Sequence, residues 1–106
     1  MVDGLQLAAE LAAAAPDLEP EVAAEEVGYL VEGRLFARAR RDALRFRLSD
    51  DVASAALRTP GVSAADDGWI ELDLVRADSY TADRARAWFA LAARQARSPT
   101  GSRGLD

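Results

Sequence analysis

The sequence predicts a small α+β domain, in which an antiparallel β-meander carries its helices on one face. Two consecutive hairpins between residues 27 and 48 alternate apolar with charged residues, as half-buried strands do. Helical periodicity brackets these strands on both sides, and 50% of the 106 residues are hydrophobic, which suffices for one modest core. The predicted element order is α-α-β-β-β-α-β-α, with the domain over residues 1–97 and a flexible C-terminal tail over 98–106.

Two helices are predicted in the N-terminal third of the chain. The first covers residues 4–15, where apolar residues recur at helical spacing between a capping Asp3 and Pro16. The second is short and runs from Pro20 to about Glu26, because proline suits the first turn of a helix. Acidic residues at its start would interact favourably with the positive end of the helix dipole.

Three strands are predicted next, over residues 27–31, 34–40 and 43–48. Two-residue turns at 32–33 and 41–42 join them. The first turn contains a glycine, which tolerates the positive φ that a tight hairpin requires. Two hairpins in succession form a meander.

The second half of the chain is predicted to continue with a helix, a strand and a helix. Residues 50–58 begin after a capping signal and form a two-turn helix, and residues 63–68 form a polar loop. A fourth strand covers residues 69–74. The last helix is capped by Thr81 and ends at about Arg97.

One face of the predicted sheet is apolar and the other is charged. In the second strand, Leu35, Ala37 and Ala39 share the core-facing side by alternation. Arginines interleaved with aromatic residues on the opposite face can stack on bases and bind phosphates. The candidate residues for binding an anionic partner on that face are Arg34, Phe36, Arg38, Arg40, Arg45, Arg47 and Trp69.

The alternative for these arginines is pairing within the chain. Glu71 and Asp73 have the parity that places them on the same face, where opposite charges on neighbouring strands attract. Two acids cannot neutralise five arginines, so an excess of positive charge is expected to stay exposed on this face. Internal pairing and an anionic partner both remain open at this point.

The distribution of charge bears on the class of partner. The net charge of −5 argues against a general nucleic-acid binder, whose footprint is basic. The charge changes sign along the chain, since residues 1–33 carry −8, 34–49 carry +5, 50–83 carry −6 and 84–106 carry +4. Blocks of alternating sign usually pair with each other across a fold.

The chain lacks the side chains that most enzymes use for chemistry, since it contains no His, Cys or Lys. A serine nucleophile has no ordinary base, no Schiff base can form, and thiolate metal sites are excluded. The paired acids at 50–51 and 66–67 are interpreted as a helix start and a solvated loop, because adjacent residues point apart and no metal-ligand spacing is present. No cofactor and no metal are therefore predicted.

The sequence also bears on the cellular compartment. No apolar run reaches the roughly 18 residues that a membrane span needs, so no membrane partner is expected. The first residues lack the basic segment that opens a secretory signal. The absence of cysteine is compatible with a reducing compartment, and a cytoplasmic location is predicted.

Several segments resemble MmcQ/YjbR-like domains. Residues 16–22 (Pro-Asp-Leu-Glu-Pro-Glu-Val) and 29–37 (Tyr-Leu-Val-Glu-Gly-Arg-Leu-Phe-Ala) are similar to the opening of that family, where a P-G-V-x-E turn precedes a hairpin ending in G-[KR]-x-F-A. Thr-Pro-Gly-Val at 59–62 and Gly-Trp at 68–69 resemble its later turn and tryptophan strand. The hairpin also resembles the N-terminal domain of TfoX-type competence regulators. The likeness covers about residues 5–97 and implies the α+β fold and DNA binding through a double-wing-like shape.

Three functional hypotheses follow. The first is a small non-enzymatic binding module that contacts DNA through the arginine-rich face, as the resemblance implies. The second is a protein-interaction or homo-oligomeric domain, monomer or homodimer, in which an acidic protein surface meets the arginines. The third is a small enzyme that depends on two close carboxylates in a concave pocket.

Overall fold

The computed structural model describes residues 3–65, 68–75 and 78–97, and within them it has three helices and a six-stranded antiparallel sheet. The predicted α+β class is therefore confirmed. The predicted tail at 98–106 and the acid pair at 66–67 lie outside the described residues. In chain order the elements are α1 (Gly4–Ala13), β1 (Leu18–Val22), β2 (Val27–Val31), β3 (Arg34–Ala39), β4 (Ala43–Arg47), α2 (Asp50–Ala56), β5 (Val62–Ala64), β6 (Trp69–Asp73) and α3 (Ser79–Arg97).

The six strands lie in the order β1-β2-β3-β4-β6-β5, and every neighbouring pair is antiparallel. Short connections explain most of this order, because a hairpin places consecutive strands side by side. In the β2–β3 turn, Glu32 and Gly33 both have positive φ, 53° and 78°, so the twist of the turn matches that of the strands. No helix in the described ranges is long and apolar enough to cross a membrane.

Strand β1 replaces the short helix predicted from Pro20 to about Glu26, and that prediction is wrong. Its five residues pair with the whole of β2, beginning with Leu18 opposite Val31. Leu18 is buried and the other four residues are exposed, so the segment lacks the apolar stripe that a packed helix needs. Proline is tolerated because β1 is an edge strand, where a missing N–H can point away from the ladder.

Strand β5 occupies part of the segment predicted as a polar loop over 63–68. Its three residues pair with β6, from Val62 opposite Leu72 to Ala64 opposite Ile70. The loop prediction is wrong for this part of the segment. Such a short edge strand has almost no alternation of its own, and its extended conformation comes from pairing with β6.

Helix α3 covers one face of the sheet with two adjacent aromatic residues. Phe89 makes edge contacts with Tyr29 and Phe36, with ring centroids 5.7 and 5.3 Å apart, and Trp88 lies 6.4 Å from Phe46 in the same way. Burial in this cluster raises the pKa of the Tyr29 phenol. Aromatic pairs at such angles contribute about 0.5–1.5 kcal/mol each beyond the area they bury. We call the face covered by α3 the inner face and the opposite one the outer face.

A β-bulge in β3 decides which of its first residues lie on each face. Tyr29 is opposite Ala37, whereas the next residue of β2, Leu30, is opposite Leu35, so that Phe36 is the extra residue. Phe36 and Ala37 are both buried, at 1% and 2% exposed. The alternation is therefore inverted before the bulge, and Leu35 shares the outer face with Leu30.

The bulge makes the predicted positions of three residues wrong. Phe36, predicted on the charged face, is in the core, and Leu35, predicted in the core, is half-buried on the outer face. Arg34 turns towards α3, where its Nη1 donates to the Ala96 carbonyl at 3.1 Å and to the Glu32 carboxylate at 3.2 Å. A strict period of two residues cannot reveal the extra residue of a bulge, because the bulge is defined by how the strand pairs with its neighbour.

Both long helices begin with an aspartate cap. The Asp3 carboxylate accepts a hydrogen bond from the backbone N–H of Leu5 at 2.9 Å, as predicted. Helix α3 starts at Ser79, two residues before the predicted cap Thr81. Its cap is instead Asp78, which accepts from the Thr81 backbone N–H at 2.9 Å and from its hydroxyl at 3.0 Å. These hydrogen bonds lower the pKa of Asp78.

An ion pair ties the end of α3 to the loop that follows α1. The Nε and Nη2 atoms of Arg97 donate to the two carboxylate oxygens of Asp17 at 2.7 and 3.0 Å. These hydrogen bonds lower the pKa of Asp17 below its ordinary value of 3.8 and raise that of Arg97. The pair joins the first acidic block of the sequence to its last basic block.

The bulge predicts unequal contributions of Phe36 and Leu35 to stability. We expect Phe36→Ala to lower the free energy of unfolding by about 3–5 kcal/mol, because it removes a ring from the core. Leu35→Ala should cost only about 1 kcal/mol, because that side chain is half-buried on the outer face. Urea unfolding of both variants measures the two values. Equal losses, or a larger loss for Leu35, would contradict the bulge.

The Asp17–Arg97 pair predicts a contribution to stability that depends on pH. Because the pKa of Asp17 is lowered in the folded state, the pair stabilises the protein above 3.8, and this stabilisation is lost as the pH falls through the lowered pKa. Asp17→Asn should lower the Tm at about pH 7 and have little effect at about pH 2. Thermal unfolding followed by circular dichroism measures both. The control is Asp83→Asn, which removes an exposed pair with Arg86 on α3 and should change the Tm less. A Tm difference for Asp17→Asn that is the same at both pH values would contradict this account.

Candidate binding surface

The outer face consists of three rows of side chains that run across the strands. The central row is fixed by direct cross-strand pairs and contains Glu21, Gly28, Arg38, Arg45 and Glu71. We name the rows on either side of it after one member each. The Trp69 row contains Glu19, Leu30, Leu35, Arg47 and Trp69, and the Glu26 row contains Glu26, Arg40 and Asp73.

The structure brings together most of the candidate residues predicted from the sequence. Five of the seven lie on the outer face, whereas Phe36 is in the core and Arg34 is bound to a carbonyl of α3. Sequence reasoning missed the acids of β1 and the two leucines of the Trp69 row. The five candidates on the outer face are Arg38, Arg40, Arg45, Arg47 and Trp69.

Arg38 and Arg45 lie directly opposite each other on neighbouring strands, where like charges repel. Separate partners relieve this repulsion. The Nε atom of Arg45 donates to the Glu71 carboxylate at 2.8 Å. The guanidinium of Arg38 lies 5.3 Å from the centre of the Trp69 ring, and its Nε is 3.9 Å from Glu26. Arg38 and Arg45 therefore keep only 36% and 32% of their side chains exposed.

Acids nearly balance the arginines of the outer face. Strand β1 contributes Glu19 and Glu21, and Glu26 precedes β2, where it lies 3.4 Å from the Nε atom of Arg40. With Glu71 and Asp73 these make five acids against four arginines, a sum of −1. The expected excess of positive charge is therefore wrong. The prediction failed because it did not include strand β1. The two glutamates at alternate positions, Glu19 and Glu21, are the signal in the sequence that could have suggested a strand.

Three apolar side chains of the Trp69 row, which we call the apolar band, lie on the two sides of Arg47. Leu30 and Leu35 are paired neighbours on β2 and β3, and both are half-buried, as is Trp69. A Cβ atom added to Gly28 would come within 2.9 Å of the Leu35 side chain. Leu35 therefore covers the bare backbone of Gly28 at the centre of the outer face.

The free edges of the sheet are poorly suited to accept another strand. Alternate residues of β1 form backbone hydrogen bonds with β2, so the backbone N–H and C=O groups of Leu18, Pro20 and Val22 point away from β2. The N–H of Leu18 is already bonded to the Ala15 carbonyl at 3.1 Å, and proline has none, so β1 offers one outward N–H, that of Val22. The opposite edge, β5, is only three residues long. Both edges are thus blunted against strand addition.

A cleft of about 650 Å³ opens at one end of the sheet, where the β3–β4 ladder stops at Ala37 and Phe46. Arg34 and Arg47 line it above a floor that includes Phe36. No carboxylate is found among the residues that line this cleft. Within the described part of the chain, no three acids lie close enough together to hold a metal ion.

Fold and surface together define the class of this protein: a small antiparallel-sheet domain with a helix-covered inner face and an accessible, nearly neutral outer face. No protein-family model, no curated protein and no solved structure matches the chain. The resemblance to MmcQ/YjbR-like domains therefore stays a prediction from its sequence motifs.

The contact between Arg38 and Trp69 predicts a change that fluorescence can detect. Arg38→Ala should lower the free energy of unfolding by about 0.5–1 kcal/mol and leave the Trp69 ring more open to solvent. Quenching of Trp69 by acrylamide, in a Trp88→Phe background with selective excitation of the one remaining tryptophan, should therefore become stronger. Arg41→Ala, an exposed arginine in the β3–β4 turn, is the control and should leave quenching unchanged. Unchanged quenching in Arg38→Ala would contradict the stacking.

Proposed function

We propose that this chain is a small non-enzymatic binding module that contacts a partner protein through its outer face. The observation that carries the proposal is the apolar band of Leu30, Leu35 and Trp69, on which Arg38 is stacked. Tryptophan and arginine are enriched among the residues that contribute most to protein–protein binding. Their rigid, partly desolvated arrangement lowers the entropy that a partner's binding would cost.

The surroundings of the apolar band support a protein interface. Charged side chains lie on both sides of the band, as in interfaces with an apolar centre and a polar rim. Since the Arg45–Glu71 and Arg40–Glu26 pairs already exist within the chain, a partner does not need to neutralise these groups. Covering these two pairs therefore leaves neither of them without an opposite charge.

The balance of charge favours a protein over duplex DNA as the partner. Binding to DNA gains its affinity largely from the release of counterions by an excess of cationic side chains. The outer face has a sum of −1, and the chain has a net charge of −5. The DNA-binding role that the family resemblance implies would require Arg38 and Arg45 to leave Glu26 and Glu71 first.

Site-specific photocrosslinking tests the proposal without knowledge of the partner. A photoreactive phenylalanine analogue placed at Leu30 should form protein adducts in the native host. The same analogue at Tyr80, which is 59% exposed on α3, should not form these adducts. Purified adducts analysed by mass spectrometry reveal the partner. Absence of protein adducts from Leu30, or the same adducts from both positions, would overturn the proposal.

A second measurement addresses the DNA alternative. Fluorescence anisotropy with a short labelled duplex at low salt should show no binding by the purified chain. The informative variants are Arg38→Glu on the outer face and, as the control, Arg58→Glu after α2. Binding that Arg38→Glu weakens and Arg58→Glu does not would favour DNA over a protein.

A further inference from the structure

We infer that the partner on the outer face is a second copy of this chain; this inference rests on the proposed function and specifies its partner. The reason is a symmetry in the arrangement of side chains about a line between β2 and β3. Across this line, acids lie on one side and arginines at the matching positions on the other. A surface of this kind is complementary to itself after a half-turn.

The geometry follows from the strand order alone. A two-fold axis that lies in the interface, between β2 and β3 and parallel to them, turns one outer face onto the other. It exchanges β2 with β3 and β1 with β4, because these strands are equally distant from the axis. Each contact then occurs twice, as in any isologous dimer. Residues in the same row of the two copies face each other.

The central row is complementary in charge at one pair of positions and places no like charges opposite each other at the other. Glu21 on β1 faces Arg45 of the second copy on β4. Gly28 on β2, which the Leu35 side chain covers, faces Arg38 of the second copy on β3, so that guanidinium meets an apolar surface and not a second arginine. Every pairing in this row comes from the direct register of the strands.

The other two rows repeat the pattern. In the Trp69 row, Glu19 faces Arg47 of the second copy, and Leu30 faces Leu35, so these two leucines form the apolar centre of the interface, whereas Trp69 on β6 lies beside it. In the Glu26 row, Glu26 faces Arg40 of the second copy. The half-turn therefore generates three kinds of acid–arginine contact and one apolar contact, each of them twice.

Another position of the axis destroys this complementarity. An axis between β3 and β4, at the middle of the sheet, would place Arg38 opposite Arg45 of the second copy. An axis between β4 and β6 would place Arg45 opposite Glu71 of the second copy but would leave Glu19 and Glu21 of β1 uncovered. The position between β2 and β3 is thus the one that the charges favour.

The expected dimer is weak and sensitive to salt. The shared patch is four strands wide, about 19 Å at the ordinary strand spacing. A patch of this width buries an area at the lower end of the range for specific protein–protein interfaces. Two sheets that pack face to face cross at about 30°, so the rows near the axis approach most closely. Much of the attraction comes from exposed charges, which salt screens.

A charge-reversal swap between Glu19 and Arg47 tests the register. Both side chains are exposed, and within one chain they lie on β1 and β4, about 14 Å apart at the ordinary strand spacing. This separation exceeds the screening length of about 10 Å at 0.1 M salt, so the two charges barely interact within one chain. Sedimentation velocity over a concentration series measures the Kd of the dimer. Glu19→Arg and Arg47→Glu should each weaken the dimer by about tenfold or more, because each reverses two contacts.

The double variant separates the possible results. Restoration of the wild-type Kd when Glu19→Arg and Arg47→Glu are combined would support the proposed register, because the rescue requires a second copy. A dimer that the double variant does not restore, or that the control Glu10→Arg on α1 weakens equally, would overturn the register. A chain that stays monomeric at all concentrations would overturn the dimer itself. In that case protein adducts from Leu30 that contain a different protein would leave the proposed function intact.

Discussion

The contact of Phe89 with Phe36 decides which side chains of β3 are buried and which reach the outer face. Phe36 is the extra residue of the bulge, and its ring lies 5.3 Å from that of Phe89 on the inner face. In an unbulged strand this ring would lie on the outer face, and the core would lose about 3–5 kcal/mol of stabilisation from its burial. The bulge instead disrupts the ladder at one residue. The inversion that follows moves Leu35 outward and turns Arg34 towards α3. The apolar band of the outer face is therefore a consequence of core packing on the other side of the same strand.

The alternating charge blocks of the sequence are neutralised by the topology of the sheet. Strand β1 brings glutamates of the first acidic block to the face where the arginines of β3 and β4 lie. Strand β6 brings Glu71 from the second acidic block to the other side of these arginines. Arg97 of the last basic block returns to Asp17 of the first. Blocks that are distant in sequence thus meet in space, and the sum of charges on the outer face is close to zero.

Features encoded by local chemistry could be predicted from the sequence, whereas those that depend on distant partners could not. The β2–β3 hairpin was predictable because Glu32 and Gly33 suit a turn with two positive φ angles. The Asp3 cap was predictable for the same local reason. Strand β1 was not, because a proline among acids resembles a helix start until β2 is there to pair with it. The bulge at Phe36 depends on both β2 and Phe89, so alternation alone placed Phe36 and Arg34 on the wrong face.

The same constraints restrict where two such molecules can meet. Of the net charge of −5, the outer face carries −1, so the remaining surface carries −4 and repels another copy at most approaches. The edges offer little to a further strand, since Pro20 interrupts β1 and β5 is short. The outer face differs from both, because its acids and arginines occur in rows that can satisfy each other between copies. For the proposed dimer, charge would thus oppose association over most of the surface and favour it on the outer face, so that the arrangement of charges would select the partner.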